Sequence, residues 1–98
     1  PTPSVPRSVV LVGAVPNPFN PATEIQFALP QAAGVSLRIY DVAGRLVREL
    51  VRGALPEGAH RVRWDGRDGD GRGAASGTYV ARLVVDGVPH ARSLTLLR

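Results

Sequence analysis

The thirteen residues from Asp65 to Gly77, DGRDGDGRGAASG, hold five of the eleven glycines in this sequence. So many positions free to adopt positive φ exclude both helix and regular strand. The flanks behave oppositely. Before the loop, His60, Val62 and Trp64 alternate with Arg61 and Arg63, the period of a half-buried strand. After it, Tyr79, Ala81, Leu83 and Val85 fall on one face of a second strand. Such a chain must fold as extended segments tied by a long turn-rich loop. Trp64 and Tyr79, at the loop's two ends, are the expected anchors of a small core, because large aromatics supply much of its buried area.

The remaining segments repeat the pattern. Ser8 to Val15 is short and apolar, a first strand bent or bulged at Gly13. Pro16 to Ala22, PNPFNPA, holds three prolines and two asparagines, which rule out regular structure. Phe19 in its middle is expected to plug the open end of a sandwich, with an exposed sugar-stacking aromatic as the alternative. Thr23 to Leu29 places Ile25, Phe27 and Leu29 on one face, and Gly34 to Asp41 does the same with Val35, Leu37 and Ile39. Asp41-Val42-Ala43-Gly44 fits a type I hairpin turn closing on a left-handed glycine. Arg45 to Arg52 is ambiguous: Leu46, Val47, Leu50 and Val51 lie at helical spacing, but eight residues between Gly44 and Gly53 make a marginal helix. The hairpin turn before it favours an edge strand. Ala54 to Gly58 is expected to turn, Asp86-Gly87 signals another hairpin, and His90 to Arg98 supplies the last strand. About seven short strands at such spacing describe an all-β fold, a seven-stranded antiparallel immunoglobulin-like β-sandwich.

Ninety-eight residues make one domain, able to bury roughly 60–65% of the unfolded surface without a staple. No cysteine is present, so there is no disulfide framework. No apolar run approaches the ~20 residues of a membrane span, and the N-terminus lacks the charged and apolar regions of a signal peptide. Residues 1–8, PTPSVPRS, read as a proline-rich linker from an upstream domain, leaving 9–98 as the module. The net charge is +4 and all twelve basic residues are arginine. That balance would allow attachment to an anionic surface, but the simpler reading is arginine-favouring codons and ordinary solvated strand faces. With five aromatic residues and no RNP or helix-turn-helix pattern, nucleic acid is not expected.

Catalytic signals are missing. There are two histidines and no cysteine nucleophile, nothing places a histidine beside Ser76, and no Walker, Rossmann or zinc spacing occurs. An enzyme is not expected. The one candidate ligand site is Asp65, Asp68 and Asp70, three carboxylates within six residues, which are a weak calcium candidate. The spacing is not that of an EF-hand. The alternative is that these aspartates make Asx-turns and pair with Arg67 and Arg72.

Several motifs carry a resemblance. Asn17-Pro18-Phe19-Asn20-Pro21, Tyr40-Asp41 with Gly44, Trp64-Asp65-Gly66 and Ala75-Ser76-Gly77-Thr78-Tyr79 resemble a family of C-terminal modules. It comprises the type IX secretion sorting domains of secreted bacterial proteins and the related Ig-like domain of the flagellar hook-capping protein. The resemblance runs from about Val15 to Arg98. It implies a module, appended to secreted enzymes, that outer-membrane secretion machinery recognises before cleavage or attachment at the cell surface. By the same resemblance the terminal segment Arg92, Ser93, Leu94, Thr95, Leu96, Leu97 and Arg98 is the recognised portion. One departure stands out: the family's terminal strand often carries lysine, and this chain has none.

The expectation is therefore a non-catalytic C-terminal module of a larger secreted bacterial protein, a monomer that reaches the outside or the cell surface through the periplasm. Its expected partners are the secretion machinery, read by strand addition at an unpaired edge, and anionic cell-surface polysaccharide. The alternatives are a carbohydrate-binding accessory module, for which Tyr40 and Phe19 form a thin aromatic row, and a structural spacer or assembly domain of the hook-cap kind.

Overall fold

A computed structural model of the chain describes residues 8–98. The linker assigned to residues 1–8 therefore lies, but for Ser8, outside the described residues. Seven strands follow in order: β1 (Val10–Val15), β2 (Thr23–Leu29), β3 (Ala33–Asp41), β4 (Leu46–Leu55), β5 (Gly58–Trp64), β6 (Gly77–Val85) and β7 (Val88–Leu96). They form a three-stranded sheet, β1-β2-β5, and a four-stranded sheet, β4-β3-β6-β7, with every pair antiparallel. This is the expected immunoglobulin-like sandwich. The chain changes sheets at Pro56–Glu57, a shorter connection than the turn expected over Ala54–Gly58, because both strands extend into it.

The period-two residues meet in the middle. Ile25, Phe27 and Leu29 of one sheet face Leu37, Ile39, Ala81, Leu83, Leu94 and Leu96 of the other, all buried. The bend expected at Gly13 is a β-bulge between Leu11 and Gly13. Bulges also resolve the ambiguous segment. In the β3–β4 ladder the register slips twice, between Leu37 and Arg38 and between Ile39 and Tyr40, leaving Leu50 and Val47 as the extra residues on β4. Each bulge advances the side-chain phase by one residue. Val47, Leu50, Val51 and Leu55 consequently all pack against the core although their spacing mimics a helix.

At one pole the core is closed by aromatics. Trp64 is wholly buried, with Phe19 at 5.5 Å in a tilted arrangement and Tyr79 at 5.4 Å edge-on. Phe19 is 2% exposed and so is the plug, not a sugar platform. The Tyr79 hydroxyl donates back to the Ala75 carbonyl, four residues upstream, the arrangement of an immunoglobulin tyrosine corner. Burial first, then the nearby Asp41 carboxylate, hold its pKa above the ordinary phenol value. Trp64→Ala should cost about 3–5 kcal/mol in chemical denaturation. That is much of the roughly 5–15 kcal/mol available to a domain of this kind. A loss below about 1 kcal/mol would show that the aromatic cluster is not the anchor.

Candidate functional site

The terminal segment divides into residues that hold the fold and residues that a partner can touch. β7 pairs with β6 along its whole length, from Val85↔Val88 to Gly77↔Leu96. Leu94 and Leu96 point inward and are 1% and 0% exposed, whereas Ser93 faces outward and Leu97 is 53% exposed. Arg92 lies on the inward-facing side of this edge strand. Its Nε donates to the Leu11 carbonyl of β1 at 3.1 Å, bridging the two sheets along their seam. An inward-pointing charge of this kind is one way a protein blunts an edge strand.

The outer edge of β7 is half occupied. The Phe19 N–H donates to the Thr95 carbonyl at 3.0 Å, and the Leu97 N–H donates to the Phe19 carbonyl at 2.9 Å. The Asn17 Oδ1 accepts from the Thr95 N–H at 2.9 Å, and its Nδ2 donates to the Ser93 carbonyl at 3.5 Å. The proline-rich run thus behaves as a one-bridge parallel neighbour, Phe19↔Leu96. Strand addition at the C-terminal half of β7 would have to displace it. Along the other half, alternation puts the backbone groups of Pro89 and Ala91 on the open edge, and Pro89 has no N–H to offer.

Arg98 belongs by resemblance to the recognised segment, and its contacts are structural. Its backbone N–H donates to Ser76 Oγ at 2.8 Å, its Nε to the Ala74 carbonyl at 2.6 Å, and a terminal nitrogen to the Gly66 carbonyl at 2.7 Å. The loop makes room for it with glycines. A Cβ on Gly73 would stand 3.0 Å from the guanidinium, and one on Gly66 would stand 2.5 Å from the Pro21 carbonyl oxygen. The end of the chain, the proline-rich run and the Asp65–Gly77 loop therefore form one interlocked pole. Sequence alone pairs none of them, since a guanidinium's partner 24 or 32 residues away leaves no local signal.

Within the loop the aspartates hold the backbone. Asp65 Oδ1 accepts from the Arg67 N–H at 3.0 Å, and Asp68 Oδ1 accepts from Asp70 and Arg72 at 2.9 and 3.0 Å. These are Asx-turns. Arg48 from β4 reaches across to Asp65 at 3.6 Å and to the Arg67 and Asp68 carbonyls at 3.4 and 3.3 Å. The Trp64 indole N–H donates to the Arg67 carbonyl at 2.9 Å. Among the described residues no three His, Cys, Asp or Glu side chains come together as a metal cluster, so Asp65, Asp68 and Asp70 do not converge on a common centre. The neighbouring Asp41 turn uses the same chemistry. Its carboxylate accepts from the Ala43 and Arg45 N–H groups and from Arg45 Nε. The Arg45 backbone N–H leads in holding its pKa below the usual carboxylate range.

Exposed aromatic surface is scarce. Phe19, Phe27, Trp64 and Tyr79 are buried, which leaves Tyr40, half-buried on the outer face of the four-stranded sheet. No planar row for stacking sugars exists among the described residues. No helix is long and apolar enough to cross a membrane.

The model of the FlgD Ig-like domain matches residues 17–87. PorZ, a bacterial surface component of the type-IX secretion system of Porphyromonas gingivalis, is 25% identical over 87% of this chain, with a TM-score of 0.60. Dimeric latent PorU of the same organism is 20% identical over 91% at a TM-score of 0.72. FlgD from P. aeruginosa is 24% identical over 89% at 0.61, and there the match spans 67% of that chain. The chain spans only 11% and 9% of the PorZ and PorU chains. No curated protein sequence matches it.

The interlocked pole makes a comparative prediction. Gly66 and Gly71 both have positive φ, 74° and 83°, but only at Gly66 would a methyl group meet backbone. Gly71→Ala should lower stability by about 1 kcal/mol through its left-handed conformation alone. Gly66→Ala should cost clearly more in the same urea titration. Equal losses would mean that the pole is not packed as described.

Proposed function

We propose that this chain, which belongs to the FlgD Ig-like domain family, is a non-catalytic accessory module of a larger secreted bacterial protein and carries its sorting and surface-attachment signal. The observation behind this reading is the division of labour in the terminal segment. Leu94, Leu96 and Arg98 are committed to the fold, while Ser93 on the outer face of the edge strand and Leu97 just past its end stand exposed beside the interlocked pole. The likeness to part of PorZ supports a role beside type-IX machinery. The outward residues, not the buried leucines, are the portion that an outer-membrane receptor reads. Destination is the outside or the outer cell surface, by way of the periplasm, and the module works as a monomer.

This division dictates the test. Deleting Arg92–Arg98 would remove two buried leucines, each worth about 2–5 kcal/mol as an alanine substitution, so loss of export would report unfolding as readily as loss of a signal. The informative variant is Ser93→Arg with Leu97→Asp. Residues 1–98 are fused to a periplasm-exported reporter in a host with type IX machinery. The parent fusion should appear outside the cell, and the double variant should stay in the periplasm while melting at a near-parental temperature. External appearance of the folded double variant would overturn the assignment of Ser93 and Leu97. Periplasmic retention of the folded parent would instead favour the assembly reading, to which the family match itself lends weight; self-association or binding to a filament protein would then be expected.

On this proposal the Asp65–Gly77 loop serves the module without metal, its Asp65 and Asp68 Oδ1 atoms already accepting from backbone N–H groups. Calcium and chelator should leave the melting temperature unchanged. A rise with calcium would reinstate Asp65, Asp68 and Asp70 as ligands, since a ligand that binds only the folded state must stabilise it.

A further inference from the structure

The outer face of the four-stranded sheet holds a charge arrangement that neither the core nor the terminal pole uses. Arg38 of β3 stands directly opposite Arg82 of β6 in antiparallel register. Like charges so placed oppose the pairing that carries them. Glu49 of β4 answers Arg38, Nε to carboxylate at 2.8 Å. Arg82 is exposed and has no carboxylate within ion-pair distance among the described residues. Tyr40 lies two residues beyond Arg38 on the same face, opposite Val80 of β6. Arg38 first, and then Arg82 after a smaller opposing contribution from burial, act on the Tyr40 hydroxyl, and its pKa lies below the ordinary phenol value. Arg52, opposite Ser36 in the next row, adds a further exposed guanidinium. Against these donors the outward strand positions of this face offer one carboxylate, Glu49.

We propose that Arg38, Arg82 and the Tyr40 hydroxyl form a site for an oxyanion, a carboxylate, phosphate or sulfate group, supplied free in solution or on an acidic polymer. Guanidinium forks match the geometry of such groups and bind them through charge-assisted hydrogen bonds. An anion between Arg38 and Arg82 also turns their repulsion into two attractions, which a lone surface arginine cannot offer. The face is open, so a single small anion is held weakly. A chain of repeated anions gains from rebinding at high effective concentration.

The test uses purified protein, with polygalacturonate and inorganic phosphate as probes, and follows affinity by titration and contact by backbone amide shifts. Arg82→Gln should weaken polygalacturonate binding about tenfold and make it less sensitive to salt. It should melt at or above the parental temperature, because it removes one of two facing like charges. Tyr40→Phe should weaken binding by a smaller factor. The control is Arg61→Gln, paired with Gln26 on the other sheet, which changes net charge equally and should leave affinity nearly intact. Phosphate that displaces the polymer and shifts Arg38 and Arg82 identifies free anions as a source. Polymer that shifts them while phosphate does not identifies the polymer. Equal losses from Arg61→Gln and Arg82→Gln would show a diffuse basic field, and unshifted Arg38 and Arg82 amides with both probes would mean no site. Either result overturns the proposal. The readout needs no export machinery, so the sorting role stands or falls separately.

Discussion

The buried indole of Trp64 is the interaction on which the rest depends. Its ring sits between Phe19 and Tyr79 with no exposed surface, and its N–H is paired with the Arg67 carbonyl. A buried N–H without an acceptor costs far more than the bond is worth net. The carbonyl must therefore be delivered to one point, and the Asp65 and Asp68 turns deliver it by fixing the backbone around it. Arg48 and the Gly69 N–H to the Val47 carbonyl then tie the same loop to β4. A stretch whose composition resembles a flexible linker is in this way held as part of the core's lid.

The second constraint is the exposed sheet edge. A sandwich of three and four strands leaves edge strands, and unpaired backbone invites association. Along β7 this chain answers with Asn17 and Phe19 at one end, Arg92 crossing to β1 near the middle, and Pro89 at the other end. The same devices limit how a partner can approach. Main-chain pairing is obstructed where the strand is stapled, and on the proposed sorting role the reading of this strand falls to its outward side chains. Protection takes the backbone edge and the inward side chains of β7, and the proposed sorting role would take the outward ones.

Within PorZ and PorU this architecture spans a tenth of the chain or close to it, whereas in FlgD it spans two thirds. A small sandwich that closes its own core can be carried by very different hosts, and its role is set by surface residues and not by strand order. In this chain the distinctive surfaces are the terminal pole and the arginine pair beside Tyr40.

Alternation along each strand is enough to specify most of the architecture. Ile25, Phe27, Leu29, Val35, Leu37, Ile39, Leu83 and Leu94 face inward because a strand's side chains alternate whatever it pairs with. The Asp41–Gly44 turn is equally legible, since local φ preference and local hydrogen bonding define it, and the Asp86–Gly87 turn is legible from φ preference. Phe19 as plug is legible from an aromatic set in a run that its prolines keep out of regular structure. Val47 and Leu50 are not: their inward positions come from bulges, which exist only once β4 has a partner. The candidate site is legible as a segment but not as a surface. That Arg92 bridges to Leu11, that Arg98 locks Gly66, and that Arg38 faces Arg82 depend on register between distant strands. Only the tertiary structure decides such contacts, because a long side chain's partner is chosen by what the folded backbone brings within reach.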